Sequence, residues 1–265
     1  MTRIPMSVTI IAFNEENKIA KAIQSASWAD DILVVDSGST DRTVEIARQN
    51  GARVLQNPWK GYGQQKNFAQ AHALHSWVLN IDADEWVSEN LAEEIHSELR
   101  NIESSGSIPT KGFQIPRKTF YLGKWIQHGG WYPNYLSRLA HRDSAKWTEP
   151  AVHESLEIQG NVGRLINPIM HDAFNSIGDQ ILTNLRFAKL GSEDLLRRGQ
   201  KASLFKLVFK PIGKFFETYL LKKGFADGLP GFIISINAAH SMFLKYAFLF
   251  EKKLTEKHEN THSRQ

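Results

Sequence analysis

Two aspartates separated by one residue, Asp82 and Asp84, form the sharpest candidate site in the sequence. Hard carboxylate oxygens suit a divalent cation, Mg²⁺ or Mn²⁺, together with the diphosphate that such a cation carries. The pair follows the apolar run Trp77–Ile81, and alternate side chains of an extended chain point the same way. We therefore expect both carboxylates on one side of a strand end. The alternative is a solvated acidic turn in which Asp84 caps the next helix.

Another aspartate, Asp36, ends a second apolar run and could accept a hydrogen bond from a nucleobase or a ribose hydroxyl. Gly38 and Asp41 beside it have the residue types of a turn and a helix N-cap. After the first apolar run the sequence has no G-x-G-x-x-G, and Glu15 and Glu16 stand where a pyrophosphate would approach a helix. These features exclude a dinucleotide site, and no Walker A loop is present.

Two candidates for proton and metal chemistry lie further along the chain. Glu154 follows Trp147 in a segment rich in aromatic residues, where a carboxylate could remove a proton from a hydroxyl. An ordinary surface glutamate is the alternative. His171 is either a further metal ligand or phosphate partner, or a structural histidine.

The elements that must position these residues follow from the apolar pattern of the first hundred residues. Short β-branched runs predict strands at Ser7–Phe13, Asp31–Asp36, Ala52–Gln56 and Trp77–Ile81. Helical spacing predicts helices at Asn17–Ser27, from about Asp41 to Gln49 with Gly51 as the C′ glycine, at Gln64–His75 and at about Ser88–Arg100. Apolar strands that alternate with helices predict a parallel sheet of βαβ units. The polar clusters then meet beyond the carboxyl ends of the strands, where such sheets bind ligands.

The pattern changes from Gly112 to His171. Short β-like pieces broken by glycine and proline predict an irregular, mostly antiparallel extension, with pieces at Phe113–Ile115, Tyr135–His141 and Val152–Ile158. Residues 178–250 are expected to be helical. The predicted organisation is a domain at 1–177 with a nucleotide-binding half at 1–101 and an acceptor half at 102–177, a helical membrane-associating region at 178–252, and a disordered tail at 253–265.

Charge is unevenly distributed along the 265 residues. The net charge is +4, but residues 1–196 carry 19 Lys and Arg against 23 Asp and Glu, whereas residues 197–265 carry 13 against 5. Cysteine is absent, which excludes disulfides, a thiolate nucleophile and Cys-ligated zinc. A cytoplasmic location fits this composition best. The basic, aromatic C-terminal region favours an anionic partner.

A basic amphipathic helix is predicted in that region. Its apolar stripe is Leu204, Val208, Ile212, Phe215 and Tyr219, and its basic stripe is Lys206, Lys210 and Lys214. A kink is expected near Pro211, and the helix could lie on a membrane surface or pack on the body of the protein. The uncharged stretch Gly228–Leu244 is interrupted by polar residues and Pro230, so we expect no transmembrane helix. No RNA-binding module is recognisable, and no nucleic-acid partner is expected.

Three segments in this order and spacing resemble a known family. SVTIIAFNEE, DILVVDSGSTD and WVLNIDADEWV are similar to the successive motifs of inverting family-two glycosyltransferases with a GT-A fold. Four further segments, GYGQQKNFA, KWTEPAVHESL, NPIMHDAF and GFADGLPGF, resemble the bacterial β-1,4-glucosyltransferases that add glucose to the heptose of the lipopolysaccharide inner core. The resemblance implies a Rossmann-like, mostly parallel sheet flanked by helices, and it covers most of the chain.

The resemblance also implies a role for each matching residue. Phe13 and Glu15 would line the nucleotide site, where Asp36 would contact uracil, Asp82 the ribose and Lys66 the diphosphate. Asp84 would hold the metal, and His171 would lie near the metal or the diphosphate. Glu154 would be the general base.

The function implied is metal-dependent, inverting transfer of a hexose, glucose, from a UDP-sugar to a lipid-linked heptose. The enzyme would be peripheral on the cytoplasmic face of the bacterial inner membrane, held by its basic helices at the anionic surface. Two alternatives stay open. One is transfer to polyprenyl phosphate, an acceptor that needs no protein base, and the other is a non-catalytic protein that binds sugar nucleotides or membranes. A nucleotidyltransferase is disfavoured, since no basic glycine-rich triphosphate loop opens the chain.

Overall fold

Parallel strands and crossover helices alternate over the first hundred residues, as the apolar pattern predicts. The computed structural model describes residues 4–104, 110–149 and 154–262. The strands are β1 (Met6–Ala12), β2 (Asp31–Asp36), β3 (Arg53–Gln56) and β4 (Trp77–Asp82). The helices are α1 (Ile19–Ser25), α2 (Thr43–Gln49), α3 (Tyr62–Ala71) and α4 (Glu89–Ser104). The strands lie in the order β3-β2-β1-β4, and each pair is parallel.

Burial explains why these segments pair. Every residue of β1 is buried, because α1 covers one face of the sheet and α3 the other. Helix α1 presents Ile19, Ala22 and Ile23 to this core. Gly51 follows α2 with a φ of +85°, which confirms the predicted C′ glycine.

An irregular second half continues the sheet. Its strands are β5 (Glu85–Val87), β6 (Thr110–Tyr121), β7 (Lys124–Trp125), β8 (Asn134–His141), β9 (Ala145–Trp147), β10 (Leu156–Ile158), β11 (Asn161–Arg164) and β12 (Ile169–His171). Strands β9 and β10 lie outside the main sheet and pair with each other, antiparallel, in a two-stranded sheet. The order from β4 is β8-β6-β12-β5. Strand β8 is antiparallel to both β4 and β6, whereas β11 and β12 run parallel to β6. The predicted fold class is confirmed. The predicted strand at Val152 begins outside the described residues, and β10 covers its remainder.

The chain divides into two compact units. The first is Met1–Thr119 with Pro133–Ala173, and the second is Phe120–Tyr132 with Phe174–Gln265. The first unit contains the sheet described above, apart from the β6–β7 hairpin at Phe120–Trp125.

The second unit consists mainly of helices. These are α5 (Ile177–Arg197), α6 (Leu204–Phe216) and α7 (Leu229–His262), with a π-helical turn at Glu217–Leu221 and a 3-10 turn at Gly224–Asp227. Ser176 and Ser203 cap α5 and α6 by accepting backbone N–H bonds. Helix α7 packs on α5 and α6.

Helix α7 contains the segment for which no transmembrane helix is expected. Leu229–Leu254 is long and apolar enough to cross a membrane by length and composition, with a mean hydropathy of 1.3. Pro230 does not interrupt it, because a proline in the first turn of a helix has no N–H bond to lose. Asn237 donates to the buried side chain of Gln180, so it is accommodated by packing within the unit. The helix continues to His262, over most of the segment expected to be a disordered tail.

Candidate active site

The loops after β1 and β2 are joined by side-chain hydrogen bonds. Asn14 N donates to Ser39 Oγ over 2.9 Å, and Thr40 N donates to Asn14 Oδ1 over 2.9 Å. Glu15 N donates to Thr43 Oγ1 over 2.7 Å. Asn14 has a φ of +55°, a conformation that asparagine tolerates better than most residues. The two loops therefore form one rim at the carboxyl ends of neighbouring strands.

Asp36 organises this rim. Its carboxylate is buried and accepts from Gly38 N over 2.9 Å, from Ser39 N over 3.0 Å and from the Ser39 hydroxyl. Its proposed uracil contact stays a prediction, and any such contact would be added to these loop bonds. Phe13 is 56% exposed beside it, so its ring is available to a ligand.

Glu15 lies in a strongly acidic environment. Burial raises the pKa of its carboxyl, and the nearby charge of Asp84 raises it further, with smaller contributions from Asp41 and Asp82. The ammonium of Lys18 opposes them. The negative charges that act on Glu15 would also attract a cation to this place.

The chain turns sharply between the two aspartates of the DxD sequence. Strand β4 ends at Asp82, and Ala83 and Asp84 form a turn that leads into β5. The expectation that an extended chain aims both carboxylates in the same direction is wrong for this reason. Asp82 and Asp84 instead reach different partners.

Asp84 faces His171. Its Oδ2 lies 3.3 Å from Nε2 of the imidazole. Strand β12 pairs His171 with Glu85, and Asp172 N donates to the Asp84 carbonyl over 3.0 Å, which holds the two strands together at this point. The other ring nitrogen, Nδ1, lies 3.2 Å from the hydroxyl of Thr119, so the orientation of the ring is fixed.

These two side chains fit a divalent cation that is also held by substrate. Magnesium and manganese sites of this kind use one or two protein ligands and complete their coordination with phosphate oxygens. Among the described residues no group of three or more His, Asp or Glu side chains is arranged to hold a metal by itself. Asp84 and His171 would therefore supply part of a coordination sphere.

Asp82 belongs to a line of alternating charges. Its Oδ1 lies 3.1 Å from Lys66 Nζ, and the same ammonium lies 2.8 Å from Glu154 Oε1. Its Oδ2 accepts from Arg138 Nη2 over 2.8 Å, and that nitrogen also donates to Glu85 Oε1 over 2.9 Å. The Lys66 side chain is only 3% exposed, whereas that of Glu154 is 17% exposed.

The protonation states in this line follow from its pairing. Burial alone would raise the pKa of Asp82, but Arg138 and Lys66 together hold it well below its usual range. Burial would lower the pKa of Arg138, and the charges of Asp82 and Glu85 raise it instead. Asp82 is therefore ionised at any pH near neutrality.

Helix α3 brings Lys66 and Glu154 together. A Cβ on Gly63 would lie 2.0 Å from the Thr148 carbonyl oxygen, so only glycine allows α3 to approach this closely. Asn67 then exchanges two hydrogen bonds of 2.9 Å with the backbone N–H and carbonyl of Trp147. Thr148 N donates to the Ser155 carbonyl over 2.9 Å, which fixes the residue after Glu154. Residues 150–153 of the predicted base motif lie outside the described residues.

Sequence reasoning missed Arg138 and Glu85. Arg138 is 4% exposed and stands between Ser137 and Leu139 in β8, and Glu85 is 1% exposed directly after the DxD sequence. An arginine close to Leu136, Leu139 and Ala140 is only a weak sequence signal for a buried ion pair, although an isolated buried charge would be too costly. Its partner could not be identified without the fold.

The fold and this site define a glycosyltransferase of the GT-A type. The family described as Glycosyl transferase family 2 matches residues 7–151, and the chain belongs to that family.

Relatives and solved structures agree with this assignment. The chain is 33% identical to an uncharacterized glycosyltransferase of Rickettsia felis, over 95% of this chain and 92% of that protein. It is 29% identical to the lipopolysaccharide core biosynthesis glycosyltransferase LpsC of Rhizobium meliloti, over 97% and 94%. The structure of S. aureus TarS residues 1–349 in complex with UDP-GlcNAc covers 96% of this chain and 92% of that one, with a TM-score of 0.51 and 13% identity. At that identity, the likeness to TarS establishes the fold alone.

Proposed function

We propose that this enzyme transfers glucose from a UDP-sugar to a heptose of the lipopolysaccharide inner core, with inversion at the sugar. The observation that carries the proposal is that two groups of side chains lie at one edge of the sheet. Asp84 and His171 lie 3.3 Å apart, where they would hold a metal, and Lys66 contacts both Glu154 and Asp82. The similarity to LpsC, which is described as a lipopolysaccharide core enzyme, supports the acceptor class.

The donor would lie on the rim formed by the first two loops. In this proposal Phe13 and Glu15 line the nucleotide pocket, Asp36 contacts the uracil and Asp82 the ribose. TarS, which has a similar fold, was solved with UDP-GlcNAc, and this supports a nucleotide sugar as the donor class.

Asp84 and His171 would hold the divalent cation. When bound there, such a cation neutralises negative charge on the diphosphate. The acidic surroundings of Glu15 add to the attraction for a cation at this place.

Glu154 would accept the proton of the acceptor hydroxyl. The hydroxyl oxygen forms the new bond to C1 of glucose, and the bond between C1 and the UDP oxygen breaks with its electron pair going to UDP. A single displacement of this kind needs one base and no covalent intermediate. The product of an α-linked donor is then a β-glycoside.

Helix α6 would hold the enzyme at the membrane that contains the acceptor. None of its residues is buried, and its exposed apolar side chains are Leu204, Phe205, Val208, Phe209, Ile212 and Phe216. Lys206, Lys210 and Lys214 accompany them, a combination that favours an anionic bilayer surface. We place the enzyme on the cytoplasmic face of the inner membrane, as a peripheral protein.

The proposal is tested by measuring UDP release with UDP-glucose, UDP-galactose and UDP-GlcNAc, with Mn²⁺ or Mg²⁺, and with purified heptose-terminated core lipid as acceptor. Turnover with UDP-glucose alone is the expected result. Turnover with UDP-galactose or UDP-GlcNAc instead would replace glucose as the proposed transferred sugar. Turnover only with polyprenyl phosphate would overturn the heptose assignment, and UDP-sugar binding without turnover on any acceptor would favour a binding protein.

A further inference from the structure

The ammonium group of Lys66 contacts both the proposed general base, Glu154, and the proposed ribose-binding residue, Asp82. Lys66 Nζ contacts Glu154 at 2.8 Å and Asp82 at 3.1 Å, and it lies 4.6 Å from the ring centre of Trp147. The group is almost fully buried, so water screens its charge poorly. The resemblance assigned Lys66 to the diphosphate, but in this structure its charge is directed at two carboxylates.

The two carboxylates do not depend on Lys66 equally. Asp82 has a second cation, because Arg138 occupies its other oxygen at 2.8 Å. Among the described residues, Lys66 is the cation found in contact with Glu154. The charge on Glu154 therefore determines how strongly the ammonium group of Lys66 is attracted to the proposed general base.

We propose that the ammonium group of Lys66, which pairs with Glu154 before the reaction, stabilises the negative charge that develops on UDP as the sugar is transferred. The proposal rests on the function proposed above and deepens it. When Glu154 takes the acceptor proton, its charge changes from −1 to 0 while UDP gains the electron pair of the broken C1–O bond. Lys66 takes no part in this proton transfer, and its ammonium group is no longer balanced by Glu154 at the moment when negative charge develops on UDP.

Arg138 is a positioning residue in this arrangement. It neutralises Asp82 and donates to Glu85 with the same nitrogen, and it is 4% exposed. Without Arg138, the uncompensated charge of Asp82 would draw Lys66 away from Glu154.

The test uses UDP itself with Mn²⁺, measured by isothermal titration calorimetry, and needs neither the sugar nor the acceptor. Glu154→Gln imitates the protonated carboxyl and should bind UDP about fivefold more tightly than wild type. Glu149→Gln is the matched control: it removes the same charge from the same segment, but within the described part of the chain Glu149 accepts hydrogen bonds from the side-chain amides of Gln64 and Asn67 and not from Lys66. It should change UDP affinity less than twofold.

The dependence on Lys66 completes the experiment. In a Lys66→Met or Lys66→Gln background, Glu154→Gln should leave UDP affinity unchanged. Unchanged or weaker UDP binding by Glu154→Gln in the wild-type background would overturn the proposal, as would an equal gain in the Lys66 variants. If neither Lys66 variant folds, the comparison of Glu154→Gln with Glu149→Gln still decides. Failure of wild type to use heptose would overturn the acceptor assignment and leave this result standing.

Discussion

The sheet edge of the first unit buries charge, whereas helix α6 of the second unit exposes apolar side chains. Lys66, Arg138 and Glu85 are each less than 5% exposed. Leu204 and Phe205 are 74% and 66% exposed. Each region reverses the usual distribution of polar and apolar groups in a soluble protein.

The two reversals have different energetic consequences. A buried charge costs several kcal/mol unless it is paired, and each buried charge at the sheet edge has a partner within 3.1 Å. An exposed apolar side chain forgoes about 25 cal/mol per Å² of burial, and nothing within α6 compensates for that loss. The charges of the first region are therefore paired, whereas the described residues leave apolar side chains of α6 exposed.

The largest effect is expected at Asp84. Asp84→Ala should lower kcat by roughly 10³-fold or more, because it removes the carboxylate proposed to hold the divalent cation. UDP release measured at saturating donor checks this result. Asp143→Ala, at a side chain that is 73% exposed, is the control and should retain full activity. A residual rate above a tenth of wild type would exclude Asp84 as the metal ligand.

Glu154→Gln should lower kcat by roughly 10²- to 10³-fold without weakening donor binding, since the proton acceptor is lost while the donor site is kept. Single-turnover kinetics with core lipid, beside UDP titration, separate the two effects. Glu149→Gln is again the matched control. Full activity of the Glu154 variant would favour an acceptor that is already an anion, such as polyprenyl phosphate.

Much of the fold and part of the site could be predicted from the sequence. Strands such as β1 and β4 were predictable because β-branched apolar runs are a local signal, and Asp36 and Asp82 then fall at strand ends by order alone. The contact between Lys66 and Glu154 joins residues 88 apart in sequence, so no local pattern reports it. Arg138 lies in the irregular half of the sheet, where pairing depends on tertiary contacts.

Membrane binding should depend on the exposed face of α6. Phe205→Ser with Phe209→Ser should lower partitioning onto vesicles containing phosphatidylglycerol by roughly tenfold or more, as two large rings lose their apolar contact. Lys206→Gln with Lys210→Gln should lower it by about fivefold per lysine at low salt, and less at high salt. Cosedimentation measures both.

The control for α6 is Ile166→Ser, which removes an apolar side chain of the first unit that is 80% exposed. It should leave vesicle binding unchanged. If it lowers binding as much as the paired phenylalanine variant, apolar exposure in general, and not α6, accounts for the attachment.

The smallest effect concerns stability at the acidic rim. Burial and the charge of Asp84 raise the pKa of Glu15 above 4.5, so the folded protein holds this proton more tightly than the unfolded chain. Stability is therefore lost as the pH rises above 4.5, and Glu15→Gln should raise the Tm at pH 7 by roughly 1–3 °C, with no gain at pH 4.

Glu16→Gln, which weakens an acceptor of the Arg42 N–H, should show no such gain. Added Mn²⁺ and UDP should shrink the difference between Glu15→Gln and wild type, because a bound cation compensates the ionised carboxylate. A lower Tm for Glu15→Gln at pH 7 would mean that the ionised group stabilises the rim even without a cation.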